Sequence, residues 1–169
     1  GLLEKAERAA ARLRELPPRA AAWLEWARAW QELARGNVLR AYERDLASLH
    51  AFEAANDVRN MAYARTNVGY EQLRLGLLDE ADQSLSSAHA IATRLGLDTL
   101  AANALHNLSL VRALRGNFDE ARRMAHTCLD VIIPVGHPRV VAAALDYLAR
   151  IELMAGDPVA AEAANRRAL

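Results

Sequence analysis

"LRGNFDEA", residues 114–121, has the form of one helix ending and another beginning. Gly116 suits the left-handed backbone position that closes a helix, and Asn117 suits the N-cap of the next. Asp119 and Glu120 then fall in a first helical turn, where acids complement the helix dipole. The same form stands forty residues upstream as "RLGLLDEA" (74–81), forty before that as "ARGNVLRA" (34–41), and forty downstream as "MAGDPVAA" (154–161). In the last of these Asp157 is followed by Pro158, a cap with proline at the first helical position.

Three further columns keep the same period around Gly36, Gly76, Gly116 and Gly156. Five residues after each glycine stands Ala41, Ala81, Ala121 or Ala161; fourteen before stands Ala22, Ala62, Ala102 or Ala142. Seven before stands a small residue, Ala29, Gly69, Ser109 or Ala149. Small residues on both sides of a helix stop let two antiparallel helices approach closely, which predicts a helical hairpin repeated along the chain. Gly69 is expected to tolerate Ala but not Leu, since added volume would push the packed helices away from each other.

Between hairpins, "LPPR" (16–19), "ANDVR" (55–59), "GLDT" (96–99) and "GHPR" (136–139) punctuate the pattern, with Pro18 and Pro138 in equivalent places. Nine helices are expected, over residues 2–16, 19–35, 38–55, 58–75, 78–95, 98–115, 118–133, 138–155 and 158–168. "VIIPV" (131–135) is the one β-like run, and Pro134 with Gly136 turns it into a helix ending. A single hairpin is too small to bury its own apolar face, so neighbours must stack. The expected fold is an all-α superhelical solenoid without a sheet. It divides into 1–16 as the second helix of a preceding repeat, a degenerate repeat at 19–56, repeats at 57–96 and 97–136, and a truncated one at 137–169. Both ends of the chain fall in mid-helical pattern, so a fragment of something longer is expected.

Bulk composition narrows the classes of function. The 169 residues are 53% hydrophobic and 25% charged, the balance of a globular protein with a substantial core. Lys+Arg and Asp+Glu are 21 each, so no global field steers the molecule toward nucleic acid or an anionic membrane. No apolar run is long enough for a transmembrane helix. Cys128 is the single cysteine, which excludes an internal disulfide and fits a reducing compartment; the cytoplasm is the expected location.

In "LHNLSLVRALRGNFDEARRMAHTCL" (105–129), Leu105, Leu108 and Ser109, the turn glycine, Ala121 and Cys128 together resemble the tetratricopeptide repeat. "TNVGYEQLRLGLLDEA" (66–81) and "ALHNLSLVRALRGNFDEA" (104–121) resemble the longer variant found in large bacterial regulators, especially the C-terminal arrays of myxobacterial multi-domain serine/threonine kinases. The resemblance is good over about 57–169 and poor over 19–56. Two departures stand out. The period is forty where the family's is 34, and the first repeat carries Glu25 and Arg28, then Glu32, where later ones carry Leu105 and Leu108 or Leu145 and Leu148.

That second departure bears on "AAWLEWARAW" (21–30), which holds Trp23, Trp26 and Trp30 on one helical stripe. Register from Gly36 puts the rings on a groove face and Glu25, Arg28 and Glu32 in the core. Unpaired buried charges cost several kcal/mol each. We therefore expect the opposite rotation, with the tryptophans packed, while keeping them as candidates for partner contact.

Little in the sequence points to chemistry. The histidines at 50, 89, 106, 126 and 137 stand at no recognised ligand spacing to one another, to Cys128 or to a carboxylate, so no metal is expected. His126 and Cys128 diverge by about 200° on a helix, which rules against a nucleophile pair. No phosphate-binding loop, no catalytic residue and no cofactor are expected. Asn67 and Asn107 share a column nine residues before the turn glycine, where asparagine is a mediocre helix former. The resemblance implies that such an amide points into the concave groove and bonds a bound peptide's backbone; bonding a neighbouring helix is the alternative.

The groove columns collect Tyr63, Thr66, Asn67 and Tyr70, then Asn103, His106, Asn107 and Leu110, then Asp146, Tyr147 and Arg150. This mixed surface suits an extended peptide better than a phosphate backbone, which would need several cations along the strip. The expected function is a non-catalytic scaffold binding protein or peptide in its groove, within a larger bacterial regulatory protein, and binding neither nucleic acid nor membrane. The alternatives are a sensor of a small ligand or signalling peptide that controls an attached effector, and a spacer that self-associates through the solenoid ends.

Overall fold

A computed structural model describes residues 1–12, 15–136 and 138–168. Among the described residues there are nine helices and no strand: α1 (Leu2–Ala10), α2 (Pro18–Ala34), α3 (Val38–Ala54), α4 (Val58–Arg74), α5 (Leu78–Arg94), α6 (Asp98–Leu114), α7 (Phe118–Val135), α8 (Pro138–Met154) and α9 (Pro158–Ala168). Most ends fall within a residue or two of expectation. The exception is α1, which stops at Ala10 where the pattern runs to 16; residues 13 and 14 of that expectation, and His137, lie outside the described residues.

The joints show a finer period than the sequence did. Gly36, Gly76, Gly96, Gly116, Gly136 and Gly156 all have positive φ, and Asn56 takes the same conformation at φ 50°. These seven positions are twenty residues apart, so the turns within and between hairpins share one geometry. Asparagine is the side chain that tolerates this backbone best after glycine. At six of the seven joints the residue after the positive-φ position donates its N–H five residues back, as Asn117 does to the Arg112 carbonyl at 2.9 Å. This is the Schellman closure, which satisfies an orphan carbonyl.

The N-caps are less uniform than expected. Asp57 accepts from the Asn60 N–H at 3.2 Å and Asp157 from the Ala160 N–H at 2.9 Å. Asn37 and Asn117 occupy the cap position without capping. The Asn37 amide instead donates to Glu32 across the joint at 2.8 Å. Pro134 sits in the last turn of α7, which runs two residues past the expected stop to Val135 before Gly136 ends it.

Each helix packs on the next, and the first helices of successive hairpins also meet, α4 with α6 and α6 with α8. That second set of contacts places α4, α6 and α8 along one side, and Trp30 and Leu33 of α2 share its concave face. The small-residue columns lie where the helices cross: Ala22, Ala62, Ala29, Ala41, Ala81, Ser109 and Ala121 are buried, and only Ala142 among the column members is half-buried. Ser48 donates to the Ala22 carbonyl at 2.9 Å, locking α3 to α2.

Gly69 is tighter than expected. A Cβ there would lie 2.6 Å from Leu85 Cγ and 2.8 Å from its Cδ2, and Leu85 is fully buried. Alanine is therefore not a tolerated replacement, because the leucine has no free volume to move into. Core leucines such as Leu85, Leu108, Leu129, Leu145 and Leu148 each contribute about 1.5–3 kcal/mol by burial. Among the described residues no helix is long and apolar enough to cross a membrane.

Candidate functional site on the concave face

The concave side holds a cleft of about 540 Å³. Its walls come from four first helices: Trp30 and Leu33 of α2, Tyr70 and Arg74 of α4, His106 and Asn107 of α6, Ala143 and Tyr147 of α8. Thr66, Asn67, Glu71 and Asn103 complete it, with Asp45 reaching in from α3. A second recess of about 300 Å³ adjoins it, sharing Asn103, His106 and Ala143 and lined chiefly by Leu100, Ile132, Val140, Ala144 and Tyr63.

The tryptophan stripe does not pack as expected. Trp23 is 44% exposed and Trp30 54%, with Trp26 between them half-buried. The rings meet edge to face at 5.4 and 6.0 Å, and Trp23 meets Phe52 at 5.3 Å. The register from Gly36 holds, and the charges it places inward are accommodated because none is unpaired. Arg28 bonds Glu25 at 2.6 Å and Glu7 at 2.9 Å, and Arg44 reaches Glu25 at 3.0 Å. Glu32 takes Arg35 and the Asn37 amide, and those bonds lower its pKa.

Of the groove columns, Asn67, Tyr70, Asn103, His106, Asn107 and Tyr147 come together in the cleft, and Tyr63 lines the adjoining recess. Thr66 is at the cleft's edge but turned in, its hydroxyl donating to its own helix at the Ala62 carbonyl, 2.9 Å away. Leu110 is a correction: it is buried in a cluster with Leu73 of α4, Leu85 of α5 and Leu108 and Val111 of its own helix. Asp146 and Arg150 are exposed, beyond both cavities. Both asparagines keep their groove position, and Asn107 is nearly buried at 5% exposure. The Asn67 amide also lies against Asp45 of the neighbouring helix, the contact foreseen by the alternative reading.

Burial tunes the titrating groups. His106 stacks on Tyr147 with ring centroids 3.9 Å apart, and desolvation lowers its pKa to about 4, leaving the imidazole neutral. Desolvation raises Tyr147 to about 12 and Cys128 to about 11, so at neutral pH the first is a phenol and the second a thiol with no nucleophilic character.

Residues 100–169 match the tetratricopeptide repeat family model. That stretch carries the tetratricopeptide repeat pattern. The fold extends the likeness to the rest of the chain. BtubC (BKLC) of P. vanneervenii superposes with a TM-score of 0.79 at 20% identity, over 99% of this chain and 69% of its own. A Podosopora anserina protein assigned as a kinesin light chain, with nearly identical TPR-like repeats, gives 0.72 at 16% identity, over 99% and 82%. No curated protein matches the chain in sequence. Tetratricopeptide repeats are in general protein–protein interaction modules.

Sequence reasoning missed the two acids of the cleft, Asp45 and Glu71. Within the repeat the signal was present. Nine residues after the turn glycine, Asp45 stands where later hairpins have Leu85 and Ala125; five before it, Glu71 stands where they have Val111 and Ile151. All four of those counterparts are buried.

Proposed function

We propose that the concave face binds an extended peptide or protein segment, without catalysis by this chain, as the interaction module of a larger bacterial regulatory protein working in the cytoplasm. The observation that carries the reading is the cleft itself. Four successive first helices bring aromatic walls, Trp30, Tyr70 and Tyr147, around the two amides of Asn67 and Asn107. Aromatic rings supply contact area at small entropic loss, and amides can both donate to and accept from a peptide backbone. The likeness of residues 66–81 and 104–121 to arrays in bacterial regulators supports the setting. The adjoining recess supports a second reading, a small apolar ligand that reports through the same face. At about 300 Å³ it is at the lower end of small-molecule sites.

Asn107→Ala separates these from a purely structural role. Loss of partner binding by about 1–3 kcal/mol with an unchanged melting temperature is expected for an amide left without its partner. A collapsed melt would show that the amide holds helices together, and intact affinity for partners recovered by pull-down would move the binding face elsewhere.

A further inference from the structure

At the floor of the cleft lie two buried carboxylates with a single, loosely placed cation, Arg74, beside one of them. Glu71 is 0% exposed and Asp45 1%, and Asp45 Oδ1 and both Glu71 oxygens have no hydrogen-bond partner. Such groups are strongly disfavoured in a folded interior. Packing does not ask for them, since the equivalent positions of later hairpins are filled by Leu85 and Ala125, and by Val111 and Ile151. Arg74 is the nearest cation, 3.8 Å from Glu71 Oε2, too far to bond it, and its guanidinium lies over the Tyr70 ring instead. Asp45 has the Asn67 amide and the Glu71 carboxylate beside it, and no ion pair among the described residues.

We propose that this floor is a cation site: an arginine or lysine side chain, carried by the segment in the groove, inserts between the walls and is held by Asp45 and Glu71. The inference rests on the groove reading and adds to it the chemistry of the partner. It assigns the specificity to charge at one position, with the asparagines bonding the backbone on either side. Nothing comparable exists in the recess next door, whose lining is apolar apart from Arg139 and the polar residues at its rim.

The acids' titration gives the site a pH signature. Desolvation raises both carboxyls to about 7, with Glu71 adding repulsion at Asp45 and Arg74 opposing the rise at Glu71. The other titrating or charged groups facing them across the cleft are Tyr70 and Arg74 of α4, His106 of α6 and Tyr147 of α8; α2 contributes Trp30 and Leu33. Of these, neutral His106 and un-ionised Tyr147 do not change charge between pH 6 and pH 8. A cation entering the site favours the ionised acids, so its binding releases protons and strengthens as pH rises through about 7.

The test uses the whole chain and two pairs of blocked pentapeptides. In one pair, Ala-Ala-Arg-Ala-Ala is set against its citrulline counterpart, which keeps the shape and loses the charge; in the other, lysine is set against acetyl-lysine. Binding is followed by the NMR shifts of the Asn67 and Asn107 side-chain amides. At pH 8 the charged member of at least one pair should bind about tenfold more tightly than its neutral partner. That preference should shrink at pH 6 and vanish in Asp45→Asn/Glu71→Gln, a variant of unchanged shape. Which pair responds tells arginine from lysine. Equal binding of charged and neutral peptides would overturn the cation site and leave the groove reading standing. A preference that survives the double variant, or ignores pH in the wild-type chain, would place the counter-ions elsewhere and overturn it too. Amides unmoved by every peptide would overturn both readings.

Discussion

The first hairpin, α2 with α3, and the third, α6 with α7, follow the same path around Gly36 and Gly116, and they fill it differently. Where α6 buries Leu105 and Leu108, α2 has Glu25 and Arg28, partly buried and ion-paired to Glu7 and Arg44. Where α7 buries Ala125, α3 buries Asp45. Both keep the small residues at the crossing points, Ala22, Ala29 and Ala41 against Ala102, Ser109 and Ala121. The backbone is thus set by the small columns and the left-handed joints, which both hairpins share. The large columns set how strongly it is held. Partly exposed ion pairs contribute about 0–1 kcal/mol each, against about 1.5–3 for a buried leucine. The first hairpin has exchanged core for polar and aromatic surface facing the cleft.

The sharpest way to break this comparison is to truncate the same column in both hairpins. Leu108→Ala should lower stability by about 2–5 kcal/mol through lost burial and a residual cavity. Arg28→Ala should lower it by about 1 kcal/mol or less, because Glu25 keeps Arg44 and Glu7 is only partly buried. Equal losses in urea denaturation would mean the two hairpins are held alike. Between them, Gly69→Ala in α4 should cost about 1–3 kcal/mol by forcing Leu85 out of its packed position. A neutral outcome would show that the small columns are not the shared determinant.

Asp45 makes the difference pH-dependent. Its carboxyl and that of Glu71 titrate near 7 in the folded chain, against about 4 when unfolded. Between those values the folded chain keeps protons the unfolded chain has lost, so the contribution from this source is fully present below about pH 4, declines from there, and is lost as pH rises through about 7. Asp45→Asn should flatten that fall and raise stability at pH 8 by about 1–3 kcal/mol, with little gain at pH 5. Thermal melts at the two pH values check it, and a parallel shift at both would remove the carboxyl from the explanation. The smallest effect is spectroscopic. With Trp23 and Trp30 about half exposed and Trp26 less so, native emission should be red of a buried indole and partly quenched by acrylamide. Blue-shifted, protected emission would return the stripe to the core.

The sequence by itself determined the architecture. Glycines at a fixed interval stop helices wherever they stand, and small residues at fixed offsets from them permit close crossings, so both can be recognised without knowing the neighbours. The groove's amides were legible for the same reason, as a column of Asn67 and Asn107 within that register. What the tertiary structure decided was the fate of each charge. The rejection of a groove-facing tryptophan stripe assumed that Glu25, Arg28 and Glu32 would be unpaired; Glu32 finds Arg35 and Asn37 close by in the chain, but Glu7 and Arg44, the partners of Arg28 and Glu25, stand on other helices, at separations the repeat does not fix. The same holds for Leu110, covered by a neighbouring helix, and for Asp45 and Glu71, which stand on adjacent helices in columns where apolar residues recur. Periodicity depends on the local helix and is written in the chain, whereas the electrostatic energy of a charge depends on what surrounds it in space, and only the assembled solenoid supplies that.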